Sequence, residues 1–146
     1  MRKRKGVALF LAVAMVFCYI PGMAFADDAI ASDSKFADMP SDWSTEALKN
    51  AVDNGLISGY DGPDGTKLIK PTGNLTRAEM ATIVNRAFGA TETAALTGVG
   101  DVPADAWYAT DMAKAVKMET FKLDNQMRPN DSITRQEAFT VLARAF

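Results

Sequence analysis

The sequence predicts an all-α fold, tandem helix-loop-helix units packed as a small helical bundle, and three observations predict it. Leu75-Thr76-Arg77-Ala78-Glu79 opens a run ending at Phe88, and Ile133-Thr134-Arg135-Gln136-Glu137 opens a second ending at Phe146. In both runs the apolar residues share their offsets: Met80, Ile83, Val84, Ala87 and Phe88, then Ala138, Val141, Leu142, Ala145 and Phe146. That is the i, i+3, i+4, i+7, i+8 stripe of an amphipathic helix. Each run follows, in the same order of features, a tryptophan (Trp43 or Trp107) and a shorter segment with one apolar face. One supersecondary unit is used twice.

Residues 1–26 stand outside this unit. Arg2, Lys3, Arg4 and Lys5 precede an uncharged apolar stretch from Gly6 to Ile20, and Ala24-Phe25-Ala26 follows. This is the pattern of a secretory signal peptide. Its apolar stretch, roughly 15 residues, falls short of the roughly 20 needed to span a bilayer, so no membrane association is expected once the signal is cleaved before Asp27. A lipoprotein reading through Cys18 is the runner-up, but Phe17 stands where that signal wants a small residue. Residues 27–35 are small and polar and read as a flexible leader.

The first unit spans 36–88. Phe36-Ala37-Asp38-Met39-Pro40 leads to Trp43, and Ala47, Leu48, Ala51 and Val52 then give a first helix one apolar face, which is expected to be buried. Ser41 or Asp42 is expected to cap that helix and Asn54-Gly55 to end it. Leu56 to Tyr60 and the turn-forming stretch Asp61 to Thr66 connect it to the second helix. The second unit spans 99–146. Val99-Gly100-Asp101-Val102-Pro103 matches the opening of the first, Met112, Ala115 and Val116 give the equivalent helix face behind an Asp105 cap, and the connector is shorter by six residues. Residues 89–98, rich in Ala and Thr, form the linker, expected to be the most mobile interior stretch.

Composition narrows the function. Removing the signal takes four of the sixteen basic residues, none of the eighteen acidic ones and the single cysteine, and moves the net charge from −2 to −6. An acidic, cysteine-free secreted chain is a poor match for nucleic acid or anionic lipid, and packing alone must stabilise it. With no histidine anywhere, the usual routes to nucleophilic catalysis, metal binding and proton transfer near neutral pH are gone. No enzyme activity, cofactor or metal is expected. The acidic stretch Asp61-Gly62-Pro63-Asp64-Gly65 reads as a turn, because Thr72 stands where a calcium loop beginning at Asp61 needs its glutamate.

Each long helix starts on a capping box, Thr76 with Glu79 and Thr134 with Glu137, and Leu75 and Ile133 are placed as hydrophobic staples. Thr and Glu are thereby explained. Arg77 and Arg135 are not, since both sit at the first helical position, where the helix dipole disfavours a cation by roughly 0.3–1 kcal/mol. Two readings stand: a bridge to a nearby carboxylate such as Asp38, Glu79, Asp101 or Glu137, or an anion site where exposed helix amides and a guanidinium fork converge. Trp43 and Trp107 likewise read either as buried anchors or as platforms for a sugar ring.

Taken together, Phe36-x-Asp38, Trp43, Gly55-Leu56-Ile57-Ser58-Gly59-Tyr60, Asp64-Gly65, Pro71 and Leu75-Thr76-Arg77-Ala78-Glu79 resemble a surface-layer homology (SLH) repeat. The second copy keeps Thr134, Arg135 and Glu137 but carries Met118-Glu119-Thr120-Phe121-Lys122-Leu123 where the Gly-Tyr stretch is expected, which ranks Arg77 above Arg135 as a ligand contact. The resemblance implies non-covalent attachment of a secreted bacterial protein to the cell wall through secondary cell-wall polysaccharide carrying pyruvate ketals. It implies a glycan site built from Asp38, Trp43, Gly59, Tyr60 and Arg77, with Asp101, Trp107 and Arg135 in the second copy. Domains of this family usually contain three repeats about a pseudo-threefold axis. With two here, a homo-oligomer or other SLH units are expected to complete the arrangement. The competing expectation is a structural or protein-interaction module of a surface layer that binds no glycan directly.

Overall fold

The computed structural model describes residues 35–146. The expected signal peptide, Cys18 and all but the last residue of the leader lie outside the described residues. Four α-helices are present among them: α1 Thr45–Asp53, α2 Arg77–Ala87, α3 Ala109–Lys117 and α4 Arg135–Ala145. The first repeat also holds a two-stranded antiparallel hairpin, β1 Tyr60–Asp61 paired with β2 Lys67–Leu68 in the register Tyr60↔Leu68 and Asp61↔Lys67.

The hairpin overturns the all-α expectation. Its turn contains a short 3₁₀ segment, Pro63–Gly65, and closes through the Gly62 N–H on the Thr66 carbonyl at 2.8 Å. The residues read as a turn-forming connector therefore also bring two extended stretches side by side, and an ion pair between Asp61 and Lys67 joins the strands. Ala37 donates its N–H to the Lys67 carbonyl at 2.9 Å, which ties the start of the repeat to the hairpin. The second connector, six residues shorter, has no room for the turn and makes no hairpin.

The two repeats share backbone devices, of which the side-chain pattern revealed only the stop at Gly55. Gly55 ends α1 with φ +69, and Glu119 ends α3 with φ +61; each donates to a carbonyl three residues back, Val52 at 2.9 Å and Val116 at 3.0 Å. A glutamate thus takes a left-handed conformation that suits glycine. Lys70 and Arg128, each directly before a proline, are also left-handed, with φ 52 and 50. An aspartate stabilises each: Asp38 accepts from the N–H groups of Ile69 and Lys70 at 2.6 and 2.8 Å, and Asp101 from those of Met127 and Arg128 at 2.9 and 2.7 Å.

One core spans both repeats. Ala78, Met80, Ala81 and Val84 of α2 pack with Met112 and Ala115 of α3, and Tyr108, Phe121, Met127 and Val141 complete the cluster. The expected burial of the first-helix faces holds for α3, where Met112 and Ala115 are fully covered, and fails for α1, which has no buried residue. The reason is position: α3 lies against α2 of the preceding repeat, and nothing among the described residues lies in that place beside α1. The expected caps, Ser41 or Asp42 for α1 and Asp105 for α3, are corrected as well. Ser44 and Tyr108 hold the N-cap positions, and Asp42 instead accepts from the Ser44 N–H at 2.8 Å. The linker is tied to α3, with Ala94 donating to the Ala113 carbonyl at 3.0 Å and Leu96 packed on the core.

Gly59 has φ +68, and a Cβ there would lie 2.3 Å from the buried Phe36 ring and 2.7 Å from the Leu68 carbonyl oxygen. Gly59→Ala is expected to cost about 3 kcal/mol, from backbone strain and overpacking together. Glu119→Gly is expected to add about 1 kcal/mol by relieving the left-handed glutamate. Urea unfolding of the two variants checks both.

Candidate functional site

Both long helices begin on a reciprocal capping box. Thr76 Oγ1 accepts from the Glu79 N–H at 3.2 Å and Glu79 Oε2 from the Thr76 N–H at 2.8 Å; for Thr134 and Glu137 the distances are 3.2 and 3.0 Å. What differs is the next layer. The first two amides of α2, Arg77 and Ala78, donate to the carbonyls of Asp131 and Pro129 at 3.0 and 2.9 Å, and Ile133 donates to the Leu75 carbonyl at 2.9 Å. The helix start that an anion would use is therefore docked onto the second repeat, and its free amides are spent.

The guanidinium of Arg77 follows the same path. Its Nε donates to the Met127 carbonyl at 2.9 Å and its Nη1 to Glu137 Oε1 at 2.7 Å, while its face lies 5.2 Å from the Phe121 ring centroid. Of the two readings left open for this arginine, the structure places it on the Glu137 carboxylate. It is not sealed. Arg77 and Glu137 both line an open cleft of about 590 Å³ on the second-repeat side of the seam. Arg128 reaches the same Oε1 of Glu137 at 3.1 Å, so two guanidiniums converge on one carboxylate oxygen. Lys122 and Arg144 also line the cleft, and with Asp124, Asp131 and Glu137 the lining holds four cations against three carboxylates.

The other residues singled out in the sequence are spread more widely. Asp38 and Asp101 spend both carboxylate oxygens on the backbone clamps described above, and Gly59 packs beneath Phe36. Trp43 and Trp107 are 92% and 64% exposed, so neither is a buried anchor, and Trp107 meets Tyr108 edge to face at 5.3 Å. Arg135 faces Phe139 across one turn, its guanidinium 5.8 Å from the ring centroid, and makes no ion pair among the described residues. None of these six lines the cleft.

Tyr60 sits in a separate cluster. Its hydroxyl donates to Glu79 Oε1, and the Lys70 ammonium lies 4.2 Å from the centre of its ring. Desolvation, together with the hydrogen bond and charge of Glu79, pushes the Tyr60 phenol up to about 12. Desolvation raises Glu79, but the Thr76 amide and the Tyr60 hydroxyl outweigh it and hold the carboxyl below its usual value. Glu137 is also lowered, chiefly by the amide and hydroxyl of Thr134 and then by the charges of Arg77 and Arg128.

Sequence reasoning missed two sets of residues. Arg128 and Lys122 enter the cleft from the shorter second connector; the available signal was Arg128 before Pro129, matching Lys70 before Pro71. Arg86 donates to the Leu56 carbonyl at 3.1 Å and Arg144 to the Thr120 carbonyl at 3.5 Å, the same brace in each repeat. Their equivalent places in the duplicated helices were the available clue.

Comparison with known proteins adds an independent line. The model of the S-layer homology domain family matches residues 35–81 and 100–139. A surface-layer 125 kDa protein of Lysinibacillus sphaericus is 34% identical over 108 residues, 73% of this chain and 9% of its own length. An exoglucanase of Acetivibrio thermocellus is 28% identical over 76% of this chain and 10% of itself. An amylopullulanase of Thermoanaerobacterium thermosulfurigenes is 26% identical over 78% of this chain and 6% of itself. The chain thus spans about a tenth or less of the length of these relatives.

A spectrophotometric titration is expected to find Tyr60 ionising at about 12, and Glu79→Gln to move it back toward 10.0 without reaching it, because desolvation stays. The folded value exceeds the unfolded one, so this contribution to stability is whole below 10.0 and is lost as pH rises through 12. Glu79 has the opposite sign: its contribution is present above its ordinary value of 4.5 and falls away as the carboxyl protonates in acid.

Proposed function

This chain belongs to the S-layer homology domain family, and from that premise we propose that it attaches a secreted protein to the cell wall by binding an acidic secondary cell-wall polysaccharide bearing pyruvate ketals. Its place is the cell surface, and the matched domain is an anchoring module, not a catalytic one. The relatives support this. A surface-layer protein, an exoglucanase and an amylopullulanase share with this chain a segment of 6–10% of their lengths, although their named activities differ. A segment common to such different proteins supplies location.

The observation that carries the reading is the convergence of Arg77 and Arg128 on one oxygen of Glu137 at the cleft wall. Arg128 also pairs with Asp131 at 3.9 Å, and the cleft lining as a whole, four cations against three carboxylates, keeps a positive charge in a chain whose net charge is −2. Arg77 Nη2 makes no hydrogen bond among the described residues and is available to a carboxylate entering the cleft. Glu137 aligns the fork in the free protein, and the pyruvyl carboxylate receives the remaining donors, a charge-assisted arrangement suited to a guanidinium. Lys122 and Arg144 extend the positive lining along the glycan. Asp38, Gly59 and Asp101 act by holding the loops that shape the repeats, and Trp43, Tyr60, Trp107 and Arg135 lie outside the cleft lining.

The alternative, a surface-lattice module in which the arginines only bridge carboxylates, draws on the Arg77–Glu137 pair itself. Sedimentation with purified wall sacculi separates the two. Arg128→Ala, a change at a half-exposed side chain, is expected to weaken binding about tenfold or more, the worth of a charge-assisted hydrogen bond. Chemical removal of the secondary polysaccharide is expected to abolish binding. Undiminished binding after that removal rejects the glycan reading, and unchanged binding by Arg128→Ala favours the lattice.

A further inference from the structure

The two long helices are equivalent in sequence and unequal in environment. On α2, Ala81 and Val84 are 0% and 2% exposed, covered by α3; their equivalents on α4, Phe139 and Leu142, are 62% and 38% exposed. Three further contacts made by α2 are missing at the matching places on α4. The amides of Arg77 and Ala78 are bonded to carbonyls of the next repeat, whereas those of Arg135 and Gln136 have no acceptor among the described residues. Arg77 has Glu137, and Arg135 has no carboxylate. Thr82 Oγ1 and Asn85 Nδ2 donate to Asp111 on α3 at 2.9 and 3.0 Å, whereas Thr140 and Ala143 face solvent.

The groups that would supply these contacts exist at the other end of the molecule. The first repeat carries Glu79 where the second carries Glu137, the exposed residues Pro71 and Gly73 where the second presents its Pro129 and Asp131 carbonyls, and α1 where it carries α3. The polar contact has been altered on both sides at once: Asp111 is replaced on α1 by the exposed Ala47, and Asn85 on α4 by Ala143. A contact between α4 and α1 would therefore bury neither an unpaired carboxylate nor an unpaired amide.

We propose that the open face of α4 is the docking site for the α1 side of a second copy of this chain, repeating head to tail between molecules the contact that α2 makes with α3 within one. Arg135 of one copy then pairs with Glu79 of the next, and Phe139 and Leu142 are covered by the face around Ala47. The contact is heterologous, so every copy offers one face of each kind and association continues into rings or chains. This inference rests on the packing of the repeats and is separate from the glycan reading.

Sedimentation velocity over a concentration series tests it. The unmodified protein is expected to grow into species larger than dimers. Ala47→Arg and Ala143→Arg, both at exposed positions that leave the monomer fold intact, are each expected to weaken self-association at least about tenfold by placing an unpaired cation in the contact. Mixed in equal amounts, the two variants retain one intact α4 face and one intact α1 face, and are expected to form a one-to-one dimer and stop there. Ala47→Asp combined with Ala143→Asn rebuilds the Asp111–Asn85 pair and is expected to associate more tightly than Ala47→Asp alone. A wild-type protein that stays monomeric at every concentration, or a mixture of the two arginine variants that yields no dimer, overturns the proposal.

Discussion

The docking of the first turn of α2 onto the second repeat is the constraint on which the rest of this molecule depends. Helix starts leave amides that need acceptors, and here those of Arg77 and Ala78 find them in Asp131 and Pro129, one repeat away. The Arg77 side chain crosses the same seam to Met127 and Glu137. The repeats are consequently one body with one core, and the cleft proposed to bind glycan runs along the seam that this docking creates.

Equivalent backbones have been given different surfaces. Both repeats keep an aspartate clamping a left-handed residue before proline, an arginine bracing the end of the first helix, and a capping box opening the second. These devices specify chain direction at points where hydrophobic patterning says nothing. Around them the side chains diverge. Glu79 bonds a tyrosine of its own repeat, while Glu137 receives an arginine from its neighbour, and so one capping glutamate fixes a hairpin while the other collects cations. The same helix-start motif therefore serves two ends, according to which side chain reaches its free carboxylate oxygen.

Carboxylates organise the structure more than the acidic composition implied. Asp38 and Asp101 shape loops, Asp111 joins α2 to α3, and Glu137 gathers the cleft arginines. An acidic chain can present a positive cleft because so many of its acids are committed to backbone amides and internal partners. Net charge alone carries no information about where those commitments fall.

The sequence by itself determined the duplication, the four helices, the capping boxes and the helix end at Gly55, because these depend on periodicity and on contacts within a few residues. Membership of the S-layer homology family was legible for the same reason, in the spacing of Trp43, Gly59-Tyr60 and Thr76-Arg77-Ala78-Glu79. Only the tertiary structure decided that Tyr60 and Lys67 sit in a hairpin, that α3 is buried while α1 is not, that both tryptophans face solvent, and that Arg77 meets Glu137 instead of an acid of its own repeat. Each of these depends on which distant segment lies alongside, and identical local motifs at Arg77 and Arg135 carry no record of that neighbour. The cleft belongs to the same class, since Arg128 and Lys122 acquire meaning only when the seam brings them beside Arg77.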